Sequence, residues 1–101
     1  MNNNNTNINH ATLNLYNIFL TVAQTMNLSA ASKRLFISQP AISKAIKQLE
    51  NELGTTLFFR NSRGVQLTED GELLYSHIFN AFNEIATGEQ PLNSRKELGI
   101  G

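Results

Sequence analysis

A chain of 101 residues with 41% hydrophobic residues and no cysteine reads as one domain that folds by packing alone, without disulfides or thiolate metal sites. No apolar run approaches the roughly 18 residues of a membrane span, and the start, MNNNNTNINHA, has neither the basic nor the apolar segment of a secretory signal. The expectation is a cytoplasmic protein with no membrane partner. The net charge of zero hides an asymmetry. Six basic residues (Lys33, Arg34, Lys44, Lys47, Arg60, Arg63) face only Glu50 and Glu52 between Lys33 and Thr68, whereas acids dominate from Glu69 onward. A basic middle followed by an acidic tail points to a nucleic-acid partner for the middle.

In chain order, residues 1–12 are asparagine-rich and of low complexity and read as a disordered tail. A first helix is expected over about 13–26, because Phe19, Val22, Ala23 and Met26 fall at i, i+3, i+4, i+7. A short second helix, capped by Ser29, closes at Leu35, and its Ala30 and Ala31 permit close packing. After the turn "FIS", Ser38 caps a third helix with Pro40 in its first turn, where a missing N–H costs little. That helix runs to about Leu53 and stops at Gly54. Its Ile42, Ile46, Leu49 and Leu53 share an arc facing the core, and the opposite arc carries Pro40, Ser43, Lys44, Lys47 and Asn51, while the acids Glu50 and Glu52 sit off that arc or late in the helix.

The β-prone segments "TLFFR" and "VQLT", joined by "NSRG", predict a two-stranded hairpin with Arg60 and Arg63 near its tip. Thr68 then caps a fourth helix whose first turn holds Glu69 and Asp70, favourable to the helix dipole. It is expected to run to about Ala86 and to stop before Gly88, with "GEQPLNSRK" as a linker. Two apolar stripes run along it: Leu74, Ile78, Ala81 and Ile85, and, one position later, Tyr75, Phe79, Phe82 and Ala86. One stripe covers the core, and the width of the apolar arc asks for a second buried contact.

Short helix, tight turn, longer helix and hairpin make a winged helix-turn-helix. The third helix then enters a major groove, and the hairpin falls beside the duplex, where arginines meet phosphates or the minor groove. Three residues keep a second reading: Arg60, and to a lesser degree Arg63, as an ion pair with an acid such as Glu69 on the next helix, and Lys47 as a solvated lysine rather than a phosphate contact.

The run "SAASKRLFISQPAISKAIKQLENELGTTLFFRNSRGVQLTEDG" resembles the DNA-binding domain of the LysR-type transcriptional regulators, over about residues 13–88. Its composite of "SQPAIS", "LENELG" and "LFFRNSRGVQLTEDG" carries the likeness. The resemblance implies a mainly α fold: a winged helix-turn-helix with a two-stranded wing and a long C-terminal linker helix that makes a dimer. It implies that Gln39, Pro40, Ser43 and Lys44 face the groove, that Ser29 and Ser38 sit at caps meeting phosphates, and that Arg63 enters the minor groove. Many relatives carry arginine at the place of Lys44; lysine lacks its bidentate fork.

The expected organisation is therefore a tail over 1–12, a DNA-binding unit over 13–68 with its helix-turn-helix at about 28–47, a linker and dimerisation helix over 69–87, and a hinge with the start of an effector domain over 88–101. The chain reads as a fragment without an effector pocket. The expected partners are double-stranded DNA, as an interrupted palindrome, and a second copy held through Leu74, Ile78, Phe79, Ala81, Phe82 and Ile85. No cofactor and no enzymatic activity are expected. His10 and His77 lack partners at ligand spacing, no nucleophile elbow is present, and Gly64 and Gly71 read as isolated turn glycines rather than a phosphate loop.

Overall fold

The computed structural model describes residues 9–97. Its elements are α1 (His10–Thr25), α2 (Leu28–Leu35), α3 (Gln39–Leu53), β1 (Phe58–Asn61), β2 (Gly64–Leu67) and α4 (Glu69–Glu97). The fold is a winged helix-turn-helix, mainly helical, with one antiparallel hairpin.

Each of the first three helices opens on a short polar side chain that satisfies a free backbone N–H. Asn9 Oδ1 accepts from Thr12 N at 2.9 Å, Asn27 Oδ1 from Ala30 N at 2.8 Å, and Ser38 Oγ from Ala41 N at 3.2 Å. Two expectations are corrected here. The tail was expected to be disordered through residue 12, but residues 10–12 are helical, because asparagine is poor inside a helix yet among the best residues for capping one. Residues 1–8 lie outside the described residues. Ser29 was expected as the cap of α2, and it lies instead inside the first turn. Met26 ends α1 in the left-handed region (φ 56), which leaves Asn27 extended at the capping position.

The α2–α3 turn is closed by its own side chains. Ser32 Oγ donates to the Ile37 carbonyl, and Ile37 N donates back to the Ser32 carbonyl at 3.3 Å. Phe36 sits between them in the left-handed region (φ 59) with its ring 93% exposed. Gly54 ends α3 in the same conformation.

The core lies where α1, α2, α3 and the base of the wing meet, with Leu74, Tyr75 and Ile78 of α4 packed against it. Phe19, Val22, Ile42, Leu49 and Leu57 are its largest fully buried side chains, each contributing about 1.5–3 kcal/mol by burial. Phe58 closes one side, its ring 5.4 Å from that of Phe19. Leu53 does not join the core as its periodicity suggested. It is 43% exposed, because the helix ends there and α4 covers only its flank.

The hairpin pairs Phe58 with Leu67, Arg60 with Val65 and Asn61 with Gly64. The wing is fastened to the α1–α2 corner, where Val65 N donates to the Met26 carbonyl at 3.3 Å. Gly64 is needed at that contact, since it has φ +129 and a Cβ would stand 2.6 Å from Met26 O.

Thr68 Oγ1 accepts from Gly71 N at 3.0 Å and donates to the Thr56 carbonyl at 2.6 Å, so it both caps α4 and ties it to the wing. Gly71 is not a turn glycine. It lies in α4, where a Cβ would come within 2.2 Å of Leu57 O. The helix was expected to stop before Gly88 and give way to a hinge. It continues through Gly88 and Pro91 to Glu97, for 29 residues. One glycine and one lost hydrogen bond do not end a helix whose flanks are Glu, Gln, Leu, Arg and Lys, with Arg95 and Lys96 at its C-terminal dipole. Residues 98–101 lie outside the described residues. No helix among the described residues is long and apolar enough to cross a membrane.

Candidate nucleic-acid interface

The surface arc of α3 follows from the burial of the other side. Ile42, Ile46 and Leu49 are buried, which turns Gln39, Pro40, Lys44 and Lys47 outward and leaves Ser43 half-buried. The N-terminal turn of α3, with Ser38 as its cap, therefore presents polar and positively charged groups without a large apolar residue. A convex helix of this character fits a major groove of about 12 Å.

The wing stands to one side of that arc. Arg63 occupies the two-residue turn with Ser62, its backbone N–H donated to Asn61 Oδ1 at 2.9 Å and its side chain exposed. Arg60 was expected near the same tip and is placed differently. It lies within β1 opposite Val65, and its guanidinium reaches back to α3, where Nη2 donates to Ser43 Oγ at 3.4 Å. The alternative pairing of Arg60 with Glu69 is not the one formed.

Two depressions flank Arg60. One is lined by Ser43, Ile46, Lys47, Glu50, Phe58 and Val65, among others. The other lies towards the α2 N-terminus and is lined by Asn27, Ser29, Gln39, Asn61 and Gly64, among others. Ser29, Gln39, Ser43, Lys47 and Arg60 thus border one continuous surface, with Lys44 and Pro40 exposed on the helix beside it and Arg63 exposed in the wing turn between Asn61 and Gly64.

Glu50 is the residue that sequence reasoning missed. It was read as an acid lying off the basic arc. Its Oε2 accepts from Leu57 N at 2.7 Å and from Phe58 N at 3.3 Å, holding the start of the wing against α3. The only signal in the sequence is an acid near the end of α3 followed, after a helix-ending glycine, by a strand whose first amides have no partner in the hairpin.

On α4, the proposed second face is only partly free. Leu74, Tyr75 and Ile78 pack against the core. Phe79 stacks on Tyr75 with ring centroids 5.8 Å apart, Ala81 is exposed, and Phe82 and Ile85 border a shallow depression with Leu13, Asn14 and Asn17. Ile85 (57%) and Leu92 (58%) are exposed in the protomer.

The chain matches the family model described as "Bacterial regulatory helix-turn-helix protein, lysR family" over residues 13–72. It is 45% identical over 95 residues to the HTH-type transcriptional regulator XapR of Escherichia coli, covering 87% of this chain and 32% of XapR. It is 49% identical over 83 residues to the HTH-type transcriptional regulator BudR of Klebsiella aerogenes, covering 82% of this chain and 56% of BudR. The chain therefore spans between about a third and a little over half of those relatives. Among solved structures, it resembles the DNA-binding domain of CbnR in complex with DNA (TM-score 0.66, 32% identity, 84% of this chain and 95% of that one). It also resembles the DNA-binding domain of BenM with catB site 1 DNA (TM-score 0.71, 29% identity, 88% and 97%).

Proposed function

Because this chain belongs to the lysR family of bacterial regulatory helix-turn-helix proteins, we infer that it binds double-stranded DNA as the operator-reading part of a transcriptional regulator. The observation that carries this reading is the one-signed arc of α3, Gln39, Pro40, Ser43, Lys44 and Lys47, set beside the exposed Arg63 of the wing. In this reading Gln39, Pro40, Ser43 and Lys44 address the major groove. Ser29, Ser38 and Lys47 position the domain on phosphates, and Arg63 enters the minor groove. A helix that docked on a protein would instead be expected to offer large apolar anchors on that arc.

The same reading includes a homodimer. Residues Phe79, Ala81, Phe82 and Ile85 of α4, with Leu74 and Ile78 behind them, would meet a second α4, and Leu92 extends that stripe beyond the expected end of the helix. Two reading heads about one DNA turn apart, roughly 34 Å, suit an interrupted palindrome.

The test is a salt titration of binding to the DNA upstream of the chain's own gene beside random DNA. Specific binding should exceed non-specific binding by roughly 10³-fold or more at physiological salt, and equal affinity for both would remove the reading.

A further inference from the structure

We propose that Arg60 sets the hydrogen-bonding sense of Ser43, making that hydroxyl a donor towards the base it faces, so that Ser43 addresses a base acceptor and rejects cytosine. The proposal rests on the DNA-binding reading above and assigns Arg60 a positioning role rather than a phosphate or minor-groove contact.

A serine hydroxyl has one hydrogen to donate and two lone pairs to accept with, and by itself carries little preference. Here Arg60 Nη2 donates to Ser43 Oγ. An arginine donates only, so one lone pair is taken. The neighbouring positive charge also turns the hydroxyl hydrogen away and repels a second positively polarised N–H approaching the same oxygen. What is left facing outward is the O–H. In the major groove, guanine offers N7 and O6, thymine O4 and adenine N7 as acceptors, whereas cytosine offers only the N4 amino donor. Ser43 held by Arg60 is therefore matched to the first three and mismatched to cytosine.

The fold fixes the backbone from which the exposed Arg60 side chain reaches Ser43. Arg60 stands in β1 opposite Val65, and Val65 is held to the α1–α2 corner through Met26. The start of the same strand is fastened to α3 through Glu50. The hairpin that carries Arg60 is thus tied at two points, at the start of β1 and at Val65 of β2, to the body on which Ser43 sits, and Ser43 is itself half-buried.

The experiment selects a site for the wild-type chain from a pool of randomised duplexes. It then measures binding to that site and its single-base variants for wild type, Ser43→Ala, Arg60→Met and the double variant, at several salt concentrations. Folding of each is checked by circular dichroism. The expected result is one position per half-site where cytosine costs wild type roughly tenfold or more. Ser43→Ala and Arg60→Met each flatten that position, the double variant flattens it no further, and the salt slope of Arg60→Met stays within half a unit of wild type. If Arg60→Met keeps the preference while weakening all duplexes alike and lowering the salt slope by about one phosphate equivalent, Arg60 is a phosphate anchor and the proposal is overturned. A Ser43-dependent preference for cytosine overturns it equally. A wild-type chain that selects no site at all removes the DNA-binding reading, and this inference with it, an outcome distinct from the other two.

Discussion

Glu50 on α3 accepts the backbone N–H of Leu57 at 2.7 Å, and the second acceptance, from Phe58, makes its carboxylate the clasp between the reading helix and the wing. Charge-assisted bonds of this kind contribute about 1.5–3 kcal/mol each way they are lost, because the amides are left unpaired. Glu50→Ala should lower unfolding stability by about 2 kcal/mol in urea titration. A loss below about 0.5 kcal/mol would show that water replaces the carboxylate without cost.

Phe36 poses the opposite case. Its left-handed backbone costs roughly 1–2 kcal/mol for a residue with a Cβ, and its exposed ring returns no packing within the protomer. Phe36→Asn, a residue that tolerates this conformation, should raise stability by about 0.5–1 kcal/mol in the same titration. An unchanged or lower midpoint would mean the ring stabilises the turn after all.

Gly71→Ala should destabilise by about 1–3 kcal/mol through overpacking against Leu57 and Leu67, although alanine is the better helix former by about 1 kcal/mol. Gly88→Ala is the control. Nothing lies within 4 Å of a Cβ there, so it should be neutral or stabilising by up to about 1 kcal/mol. Thermal melts of the two variants check the contrast, and a neutral Gly71→Ala would mean that α4 can shift off the wing.

Much of this fold was legible because its signals are local. Ser38, Pro40 and Gly54 mark the ends of α3, and the hairpin and the cap at Thr68 follow from neighbouring residues. What stayed hidden depends on residues far apart in sequence or on competition between equals. Asn27 and Ser29 are both good caps, and only the left-handed Met26 decides between them. Glu50 meets Leu57 across seven residues, and Arg60 meets Ser43 across seventeen. The continuation of α4 past Pro91 was obscured because proline and glycine mark helix ends more often than they interrupt helices.

The dimer reading gives a test that the fold makes clean. Ile78 packs against the core, so a charge there would disturb the protomer itself. Ile85 is exposed, so Ile85→Glu should leave the unfolding of the protomer unchanged and weaken dimerisation by about 3–5 kcal/mol, more than a hundredfold. Sedimentation of both chains checks this. A wild-type monomer at high micromolar concentration would overturn the seam.

Arg63→Ala should reduce the slope of log affinity against log salt by about 0.9 if the side chain neutralises one phosphate, with the preference for A·T-rich flanks reduced as well if it lies in the minor groove. Binding isotherms at four salt concentrations measure both. A variant equal to wild type on each count would leave Arg63 a solvated turn residue.

The unbroken run of α4 from Glu69 to Glu97 makes it a lever. Twenty-nine residues at 1.5 Å each reach about 43 Å, while the helix is seated on the body in its first half, through Gly71, Leu74 and Ile78, with Phe82 and Ile85 beside α1. A tilt of about 10° about the middle of that seat, near Ile78, swings the far end by roughly 5 Å, about one and a half base pairs of rise. Pro91 adds a second, weaker pivot, because its missing N–H leaves the Thr87 carbonyl without its helical partner. Force or torque applied at the distal end would thus arrive at the wing, where Gly71 touches Leu57, as a small rotation of the whole reading head.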